Sequence, residues 1–282
     1  MDAPRGSGQP PMLRIGALLR AAHPEPSLAV TLAASALALG AGLGARSGLV
    51  ALAVGSGQVS IGWSNDWLDR DRDRASERAD KPVARDEVGA RTVLAAALVA
   101  LGVCVVASLG LGVAAGVTHL VGVAAGWLYN AHAKHTWWSV APWAVAFGLL
   151  PAVVTLAEPL AQPPAWWLVV AGALLGSGAH LANAIPDLDD DRRTGVTGLP
   201  HRLGRRRSLA TTVVLVAFGI LVVVIGPGLR PAGIALGAVA AALLGAVVVA
   251  GLRGRDRWAF RGTVALLLLL AVGVVAGGTA LA

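Results

Sequence analysis

Two stretches of the chain carry the same arrangement of asparagine and aspartate side chains. In each stretch, an asparagine is followed at steps of four residues by two aspartates. The two trios are Asn65, Asp69, Asp73 and Asn183, Asp187, Asp191. Carboxylate and amide oxygens are hard ligands, and proteins commonly hold Mg²⁺ with one or two carboxylates together with the phosphates of a substrate. The two trios therefore predict a pair of magnesium-binding motifs.

The spacing and the electrostatics of the trios indicate the same chemistry. Steps of four residues advance about 40° around an α-helix, so each trio keeps to one face. Two carboxylates about 4 Å apart repel by about 1 kcal/mol in water and by about 4 kcal/mol at an effective dielectric constant near 20, so acids that converge need cations. Arginine and lysine side chains accompany the acids in both stretches, and these groups bind phosphate oxygens. We expect a metal-bridged phosphate or diphosphate site.

A charged run beside an apolar segment can also be a solvated loop, and this interpretation fits the first stretch taken alone. The second stretch repeats the pattern, which favours a functional pair. Acids that do not follow the spacing, such as Asp71, Asp189 and Asp190, are assigned to solvated surface. Asp66 lies next to Asn65 but about 100° away around a helix, so spacing alone does not place it with the trio.

The composition is typical of a membrane protein. Of the 282 residues, 56% are hydrophobic and 14% are charged, which a soluble domain of this size would not tolerate. The single cysteine, Cys104, excludes an internal disulfide and a cysteine-based metal site. The formal net charge of +7 comes from basic residues in short segments between apolar runs. Membrane topology explains this distribution, so nucleic acid is not an expected partner.

Apolar segments of about 20 residues, the length that crosses the hydrocarbon core, recur along the chain. Nine are predicted, at 27–46, 48–65, 91–109, 111–130, 138–157, 165–186, 208–226, 231–251 and 259–281. The expected fold is an all-α polytopic membrane protein with about nine transmembrane helices around a central cavity. Two Asp-rich cytoplasmic loops are predicted at 66–90 and 187–207. Residues 1–26 are predicted to form a flexible cytoplasmic tail before a transmembrane domain at 27–282.

The distribution of arginine and lysine predicts the orientation of these spans. With nine spans, only Arg46 and Arg230 fall on the side opposite to the N-terminus, and the positive-inside rule makes the N-terminal side cytoplasmic. Four spans separate the two motifs, so both open to the cytoplasm, as expected for parallel repeats. We expect an integral protein of the plasma membrane whose N-terminus and Asp-rich loops face the cytoplasm.

The motifs are similar to those of a known family. NDWLDRDRD, at 65–73, resembles the NDxxDxxxD signature of the UbiA superfamily of intramembrane prenyltransferases. DLDDDRRTGVTGLPHRLG, at 187–204, resembles the second aspartate motif of that superfamily. KPVARDEVG, at 81–89, resembles its basic stretch after the first motif, and YNAHAK, at 129–134, resembles its Tyr-to-Lys segment. The resemblance covers about residues 20–210 and agrees with an all-helical fold.

The resemblance implies Mg²⁺-dependent transfer of a prenyl group from a polyprenyl diphosphate to an acceptor that the sequence does not identify, with membrane lipids as surroundings. By the family's pattern, the metal ligands are Asp66, Asp69, Asp73, Asp187 and Asp191. The residues that bind the diphosphate are Lys81, Arg192 and Asn183. The residues expected to act in catalysis are Asn65, Asp69, Asp187, Tyr129 and Lys134.

The chain departs from the family at two places. Gly198 stands where a threonine is common, and NAHA, which contains His132, replaces an aromatic and proline-rich loop. Ionisable residues inside membrane segments are functional candidates. His180, three residues before Asn183, is expected to face the same cavity. The sequence assigns no role to His23 or His132.

Two other functions are compatible with the sequence. A terpene cyclase of the same superfamily would capture the allylic cation with a double bond of the substrate and would need no acceptor. A membrane transporter can also combine internal repeats with charges inside the membrane. The acids here lie at the cytoplasmic ends of the predicted spans, not at their centres, which favours a catalytic vestibule over a transport path.

Overall fold

The computed structural model describes residues 11–76 and 81–282, and within these ranges every regular element is helical. The helices are α1 (Pro11–Ala21), α2 (Pro24–Gly40), α3 (Arg46–Ala75), α4 (Ala90–Leu109), α5 (Val113–Ala131), α6 (Ala141–Thr155), α7 (Trp166–Ala184), α8 (Leu188–Arg193), α9 (Leu199–Ile225), α10 (Pro231–Leu252) and α11 (Asp256–Ala276). Short 3₁₀ turns, Ala133–His135 and Ile185–Asp187, follow α5 and α7. The predicted all-α class is confirmed.

The helices of the described residues overlap all nine apolar segments that the sequence predicts, which fall on α2 to α7 and α9 to α11. Five helical segments in this part of the chain are long and apolar enough to cross a membrane: Ala90–Leu109, Trp166–Arg193, Leu199–Ile225, Pro231–Leu252 and Asp256–Ala276. α6 is apolar but shorter, and polar side chains interrupt α3 and α5. The count of nine spans therefore stays a prediction.

The long helices pack in a ring. Along the chain, α2 packs on α3, α3 on α4, α5 on α6, α6 on α7, α7 on α9, α9 on α10 and α10 on α11. α11 then returns to pack on α2 and closes the ring. α5 also contacts both α3 and α4. Small residues at these contacts let the helices approach closely, as at Gly172 of α7, which lies against the Phe147 backbone of α6.

The first Asp-rich stretch is a helix in its first half, where the sequence predicts a loop at 66–90. α3 continues through the aspartates and ends at Ala75. The four-residue spacing agrees with this, because it places Asp69 and Asp73 on the packed face of α3 and leaves Asp71, whose side chain is 73% exposed, on the solvated face. Asp66, three residues before Asp69, is buried beside them. The three buried acids are Asp66 (1% exposed), Asp69 (5%) and Asp73 (3%). Residues 77–80 lie outside the described part of the chain.

The second Asp-rich stretch, predicted as a loop at 187–207, is also largely helical. Asp187 ends a 3₁₀ turn, α8 occupies the next six residues, and α9 begins at Leu199. α9 starts earlier than its apolar pattern predicts because Pro200, at one of its first positions, has a backbone suited to a helix start. Gly204, whose φ is 73°, kinks α9 between this first turn and the apolar remainder.

The predicted N-terminal tail at 1–26 contains structure. α1 occupies Pro11–Ala21, and α2 begins at Pro24. Residues 1–10 lie outside the described residues, so the boundary between tail and domain stays a prediction. α1 is held to α3 by the Trp63 indole, which donates to the carbonyl oxygen of Leu18 at 2.8 Å.

A close approach between α3 and the start of α2 positions one side of the site. A Cβ atom on Gly62 would lie 2.4 Å from the Ala22 carbonyl oxygen, so only glycine allows this contact. The next residue, His23, has a φ of 51°, in the left-handed region. This turn brings His23 Nε2 to 3.0 Å from Asp66 Oδ1, one helical turn after Gly62.

Gly62→Ala is expected to lower the free energy of unfolding by about 1–3 kcal/mol, because the added methyl group would force α3 away from Ala22. Gly48 lies on the same helix, and a Cβ atom added there would have no neighbour within 4 Å, so Gly48→Ala should be neutral or stabilise by up to about 1 kcal/mol. Unfolding of both purified variants in detergent measures the difference. Equal effects of the two substitutions would contradict the close approach.

Candidate active site

The two motifs meet at one cavity. The cavity has a volume of about 200 Å³ and lies between α2, α3, α5, α6 and α7. Asn65, which heads the first motif, and Asn183, which heads the second, both line it. Tyr129 and Trp143 line the same space. The two motifs, which lie far apart in sequence, therefore each contribute an asparagine to one chamber, whereas none of their aspartates lines it.

Asp66 is held between two basic side chains. Its Oδ1 atom accepts a hydrogen bond from Lys81 Nζ at 2.7 Å and lies 3.0 Å from His23 Nε2. Lys81 Nζ also donates to the Asn65 amide oxygen at 3.3 Å. The other carboxylate oxygen, Oδ2, is buried and has no hydrogen-bond partner among the described residues. A buried carboxylate oxygen without a partner is costly, so this atom is open to a cation or a donor.

Asp69 binds two cations and an amide. Its Oδ1 atom accepts from Lys134 Nζ, and its Oδ2 atom accepts from Arg72 at 2.8 Å and from the Asn65 amide at 3.1 Å. Lys134 lies in the 3₁₀ turn after α5 and is buried. Burial lowers the pKa of the Lys134 ammonium group, and the Asp69 carboxylate opposes that shift. Arg72 also lies 3.7 Å from Asp73.

Asn130 fixes α5 to α3, and sequence reasoning did not single it out. Its amide nitrogen donates to the Ile61 carbonyl oxygen at 2.9 Å and to the Ser64 hydroxyl at 2.8 Å. Its amide oxygen accepts from Asn65 at 3.3 Å. Asn130 therefore orients the first residue of the motif. Its place directly after Tyr129, inside a segment already selected, was the available signal.

The second motif is organised around His201, another residue that sequence reasoning did not select. His201 Nε2 lies 3.1 Å from Asp191 Oδ2. The Arg192 guanidinium donates to the His201 backbone oxygen at 2.9 Å and is otherwise exposed. Asp187 is half-buried at the end of the 3₁₀ turn that follows α7. In the described part of the chain, no three His, Cys, Asp or Glu side chains lie close enough together to hold a metal ion.

Tyr129 lies between the two motifs. The charges of Asp69 and Asp191 both act on its hydroxyl group. Its ring makes edge contacts with Trp143, at a centroid distance of 5.8 Å, and with His180, at 5.3 Å. Tyr129 and Trp143 form an aromatic wall of the cavity, whereas His180, which was expected to face the cavity, does not line it.

His180 is a buried residue behind this wall. Its Nε2 atom lies 3.0 Å from the Ser139 hydroxyl, which also accepts a hydrogen bond from the Leu199 backbone N–H at 2.9 Å. Ser139 thus ties α7 to the first turn of α9. His132, in contrast, is exposed and lies near the Trp138 ring, with 6.0 Å between centroids.

Gly198 permits a tight contact between the two halves of the site. A Cβ atom on Gly198 would lie 2.6 Å from the Lys134 carbonyl oxygen and 3.0 Å from the Ser139 hydroxyl. Glycine at this position therefore lets the turn that carries Lys134 rest against the start of α9. This contact gives a structural reason for the departure from the threonine expected there.

A second cavity of about 120 Å³ adjoins the first. The two share Pro26, Val30, Trp143, Phe147 and Leu150. The remaining wall of the second cavity is apolar and comes from α2, α7 and α11 with single residues of α6 and α9. The first cavity therefore ends near the charged motifs, and the second cavity adds an apolar extension.

Comparison with known proteins identifies the family. The family model described as UbiA prenyltransferase family matches residues 27–269. The chain belongs to this family. No match was found among curated proteins.

Solved structures of UbiA homologues share the fold. A UbiA homologue from Aeropyrum pernix K1, in its apo form, superposes with a TM-score of 0.71 at 22% identity, covering 88% of this chain and 97% of that one. A UbiA homologue from Archaeoglobus fulgidus bound to GPP and Mg²⁺ superposes with a TM-score of 0.70 at 17% identity, covering 92% of this chain and 99% of that one. A digeranylgeranylglyceryl phosphate synthase superposes with a TM-score of 0.67 at 15% identity, covering 94% of this chain and 98% of that one.

Gly198→Ala is expected to lower the free energy of unfolding by about 1–3 kcal/mol, because the new methyl group would displace the Lys134 turn. Gly89→Ala is the matched control, since Gly89 begins α4 as Gly198 begins α9 and its Cβ would meet nothing closer than 3.6 Å. Thermal unfolding in detergent measures both variants. If the Gly198→Ala protein unfolds at the same temperature as the Gly89→Ala control, the result would contradict this contact.

Proposed function

We propose that this UbiA family member transfers a prenyl group from an allylic polyprenyl diphosphate to an acceptor within the membrane, with Mg²⁺ as cofactor. The observation that carries the proposal is the meeting of Asn65 and Asn183 at one cavity, with Lys81 and Lys134 beside the acids of the first motif. The Archaeoglobus fulgidus homologues bound to GPP or DMAPP with Mg²⁺ support this substrate class.

The donor set suits a magnesium ion that one or two carboxylates would hold together with diphosphate oxygens, since no three ligating side chains of the described residues lie close enough to hold an ion alone. The buried Oδ2 atom of Asp66 lacks a partner among the described residues, and the motif side chains offer the oxygen ligands that Mg²⁺ prefers. We assign Asp66, Asp69 and Asp73 of the first motif, with Asp187 and Asp191 of the second, to hold the metal with diphosphate oxygens. Bound there, the ion would neutralise charge on the leaving diphosphate.

The basic side chains bind and stabilise the diphosphate. In the structure, Lys81 donates to Asp66 and Lys134 donates to Asp69. When the two carboxylates bind the metal instead, the ammonium groups of both lysines can donate to phosphate oxygens. Arg192 lies at the entrance beside the second motif. Charged donors of this kind lower the barrier because they meet the charge that develops on the leaving group.

The cavity wall protects the reacting carbon. The bond between C1 of the prenyl chain and the diphosphate oxygen breaks, and its electron pair leaves with the diphosphate. The acceptor forms a new bond to C1 and loses a proton. Tyr129 and Trp143 present aromatic faces that stabilise positive charge. The apolar second cavity suits the prenyl chain and keeps water from the cation.

The proposed topology has nine spans, formed by α2 to α7 and α9 to α11, with a cytoplasmic N-terminus and the motifs at the cytoplasmic face of the plasma membrane. The ring of packed helices and the distribution of basic residues support it. In this topology the diphosphate enters from the cytoplasm while the prenyl chain stays among membrane lipids.

Single cysteines in a Cys104→Ala background test this topology. We expect a membrane-impermeant maleimide to label Arg230→Cys in intact cells, because Arg230 is exposed at the start of α10 on the outer side. Arg193→Cys, whose native side chain is 79% exposed, should be labelled only after permeabilisation. Labelling in the reverse order would contradict the orientation, and labelling of both in intact cells would contradict the separation of the two sites by the membrane.

Asp69→Asn and Asp187→Asn are each expected to lower Mg²⁺-dependent diphosphate release by on the order of 100-fold or more, because each removes a charged ligand at the site of developing charge. Asp71→Asn is the matched control, since Asp71 lies in the same motif with a 73% exposed side chain, and its rate should match the parent protein. Release is measured with geranyl diphosphate in reconstituted membranes. EDTA should abolish it, and added Mg²⁺ should restore it.

Two results would contradict the proposal. Full activity of the Asp69→Asn and Asp187→Asn variants would show that these motif aspartates are not needed for the reaction. Diphosphate release without any acceptor, with a cyclic hydrocarbon as product, would identify a cyclase instead.

A further inference from the structure

The side chain of His201 contacts the second motif, and the proposed reaction gives it no role. Its Nε2 atom lies 3.1 Å from Asp191 Oδ2. Only 7% of the His201 side chain and 17% of the Asp191 side chain are exposed. An ionised carboxylate can only accept hydrogen bonds, so the hydrogen of this contact lies on Nε2. His201 therefore donates to a carboxylate that we assign to the metal.

The other ring nitrogen shows that packing alone does not account for this imidazole. Nδ1 of His201 is buried and has no hydrogen-bond partner among the described residues. An unpaired buried polar atom costs free energy, and an apolar side chain would avoid that cost. Within the described part of the chain, the contact with Asp191 is the only hydrogen bond of this side chain. The imidazole is therefore best explained by its effect on Asp191.

α8, which carries Asp191, depends on contacts with its surroundings. It has six residues, of which only Leu188 is buried. Its two arginines lie 3.8 Å from Asp189 and 3.5 Å from Asp190, on the exposed surface. A helix of this length is not stable alone in water. Tertiary contacts such as the one from His201 therefore set the direction of Asp191.

The residues just before His201 are fixed to the turn after α5. We name residues 197–201 the bridging segment. The Thr197 hydroxyl donates to the His135 carbonyl oxygen at 2.6 Å. The Leu199 backbone N–H donates to the Ser139 hydroxyl at 2.9 Å. Two hydrogen bonds therefore hold the bridging segment in place on the side away from α8.

The bridging segment also connects the two motifs. Gly198 lies so close to the preceding turn that a Cβ atom would be 2.6 Å from the Lys134 carbonyl oxygen. Lys134 Nζ in turn donates to Asp69 Oδ1 in the first motif. At the other end of the segment, His201 donates to Asp191 in the second motif. A single short segment thus relates the position of one acid to that of the other.

We propose that His201 is a positioning residue that fixes Asp191 relative to the first motif, so that the two motifs hold one metal–diphosphate group between them. This inference rests on the proposed function. No three ligating side chains of the described residues lie close enough to bind an ion alone, so each carboxylate must be directed to its place. Hydrogen bonds to metal ligands contribute about 10- to 100-fold in metal affinity or activity.

Two amide side chains test whether the position of the donor matters. The amide nitrogen of glutamine can occupy the place of Nε2, whereas that of asparagine reaches only the place of Nδ1. We expect His201→Asn to raise the Mg²⁺ concentration for half-maximal diphosphate release by about 10-fold or more, and His201→Gln to stay within about 3-fold of the parent protein. His201→Leu, which has no donor, should behave like His201→Asn.

His132→Asn is the matched control, because His132 is exposed and its side chain makes no hydrogen bond within residues 11–76 and 81–282. Its Mg²⁺ dependence should equal that of the parent protein. Thermal unfolding in detergent checks that each variant folds. Unchanged Mg²⁺ dependence in His201→Asn, or equal losses in His201→Asn and His201→Gln, would overturn the proposal. Failure of all the His201 variants to fold would identify a purely structural residue and would overturn it too.

Electron paramagnetic resonance of Mn²⁺ measures metal binding without turnover. The protein is titrated in the presence of geranyl S-thiolodiphosphate, an analogue that resists cleavage. We expect His201→Asn to bind Mn²⁺ about 10-fold more weakly than the parent protein, and His201→Gln and His132→Asn to match it. Normal binding by His201→Asn would overturn this inference and leave prenyl transfer standing. Absence of Mn²⁺ binding by the parent protein would instead overturn the proposed function, and this inference with it.

Discussion

Pairing of buried aspartates with lysine is the interaction on which the site depends. Asp66 and Asp69 lie on a helix of a strongly apolar chain, and burial of their charges would be prohibitive without Lys81 and Lys134. Neither lysine lies on α3, so the pairs also fasten the segments before α4 and after α5 to the motif. The fold is thus held at its charged end by the same groups that we assign to the diphosphate, which links stability to function.

The sequence contained enough to predict the helical class, the two motifs and their convergence. A four-residue period is a local property, and it placed Asp69 and Asp73 on one side of a helix, whereas the burial of Asp66 beside them could not be predicted from spacing. The period indicated a helix through each trio, yet loops were predicted at 66–90 and 187–207 because charge was taken to end each membrane span. Charged residues can continue a helix once it leaves the membrane. Asn130 and His201 escaped prediction for another reason, since their partners lie on other helices and no spacing encodes such contacts.

The structural roles of two glycines could not be predicted from the sequence either. Gly62 interrupts an apolar run and Gly198 lies in a polar turn, yet each allows a backbone to approach within a distance that any Cβ atom would prevent. The first sets the turn that carries His23, and the second sets the turn that carries Lys134. Contacts between distant segments cannot be predicted from composition. The comparison with the family pattern therefore showed that Gly198 replaces a common threonine, but it did not explain why.

The return of α11 to α2 has a consequence for biogenesis. α11 supplies part of the apolar wall of the second cavity, and it is the last long helix of the described chain to be synthesised. Ribosomal synthesis therefore delivers both charged motifs to the membrane before the ring is closed. The wall of the second cavity is complete only when α11 packs beside α2, so this part of the site forms after both charged motifs have reached the membrane.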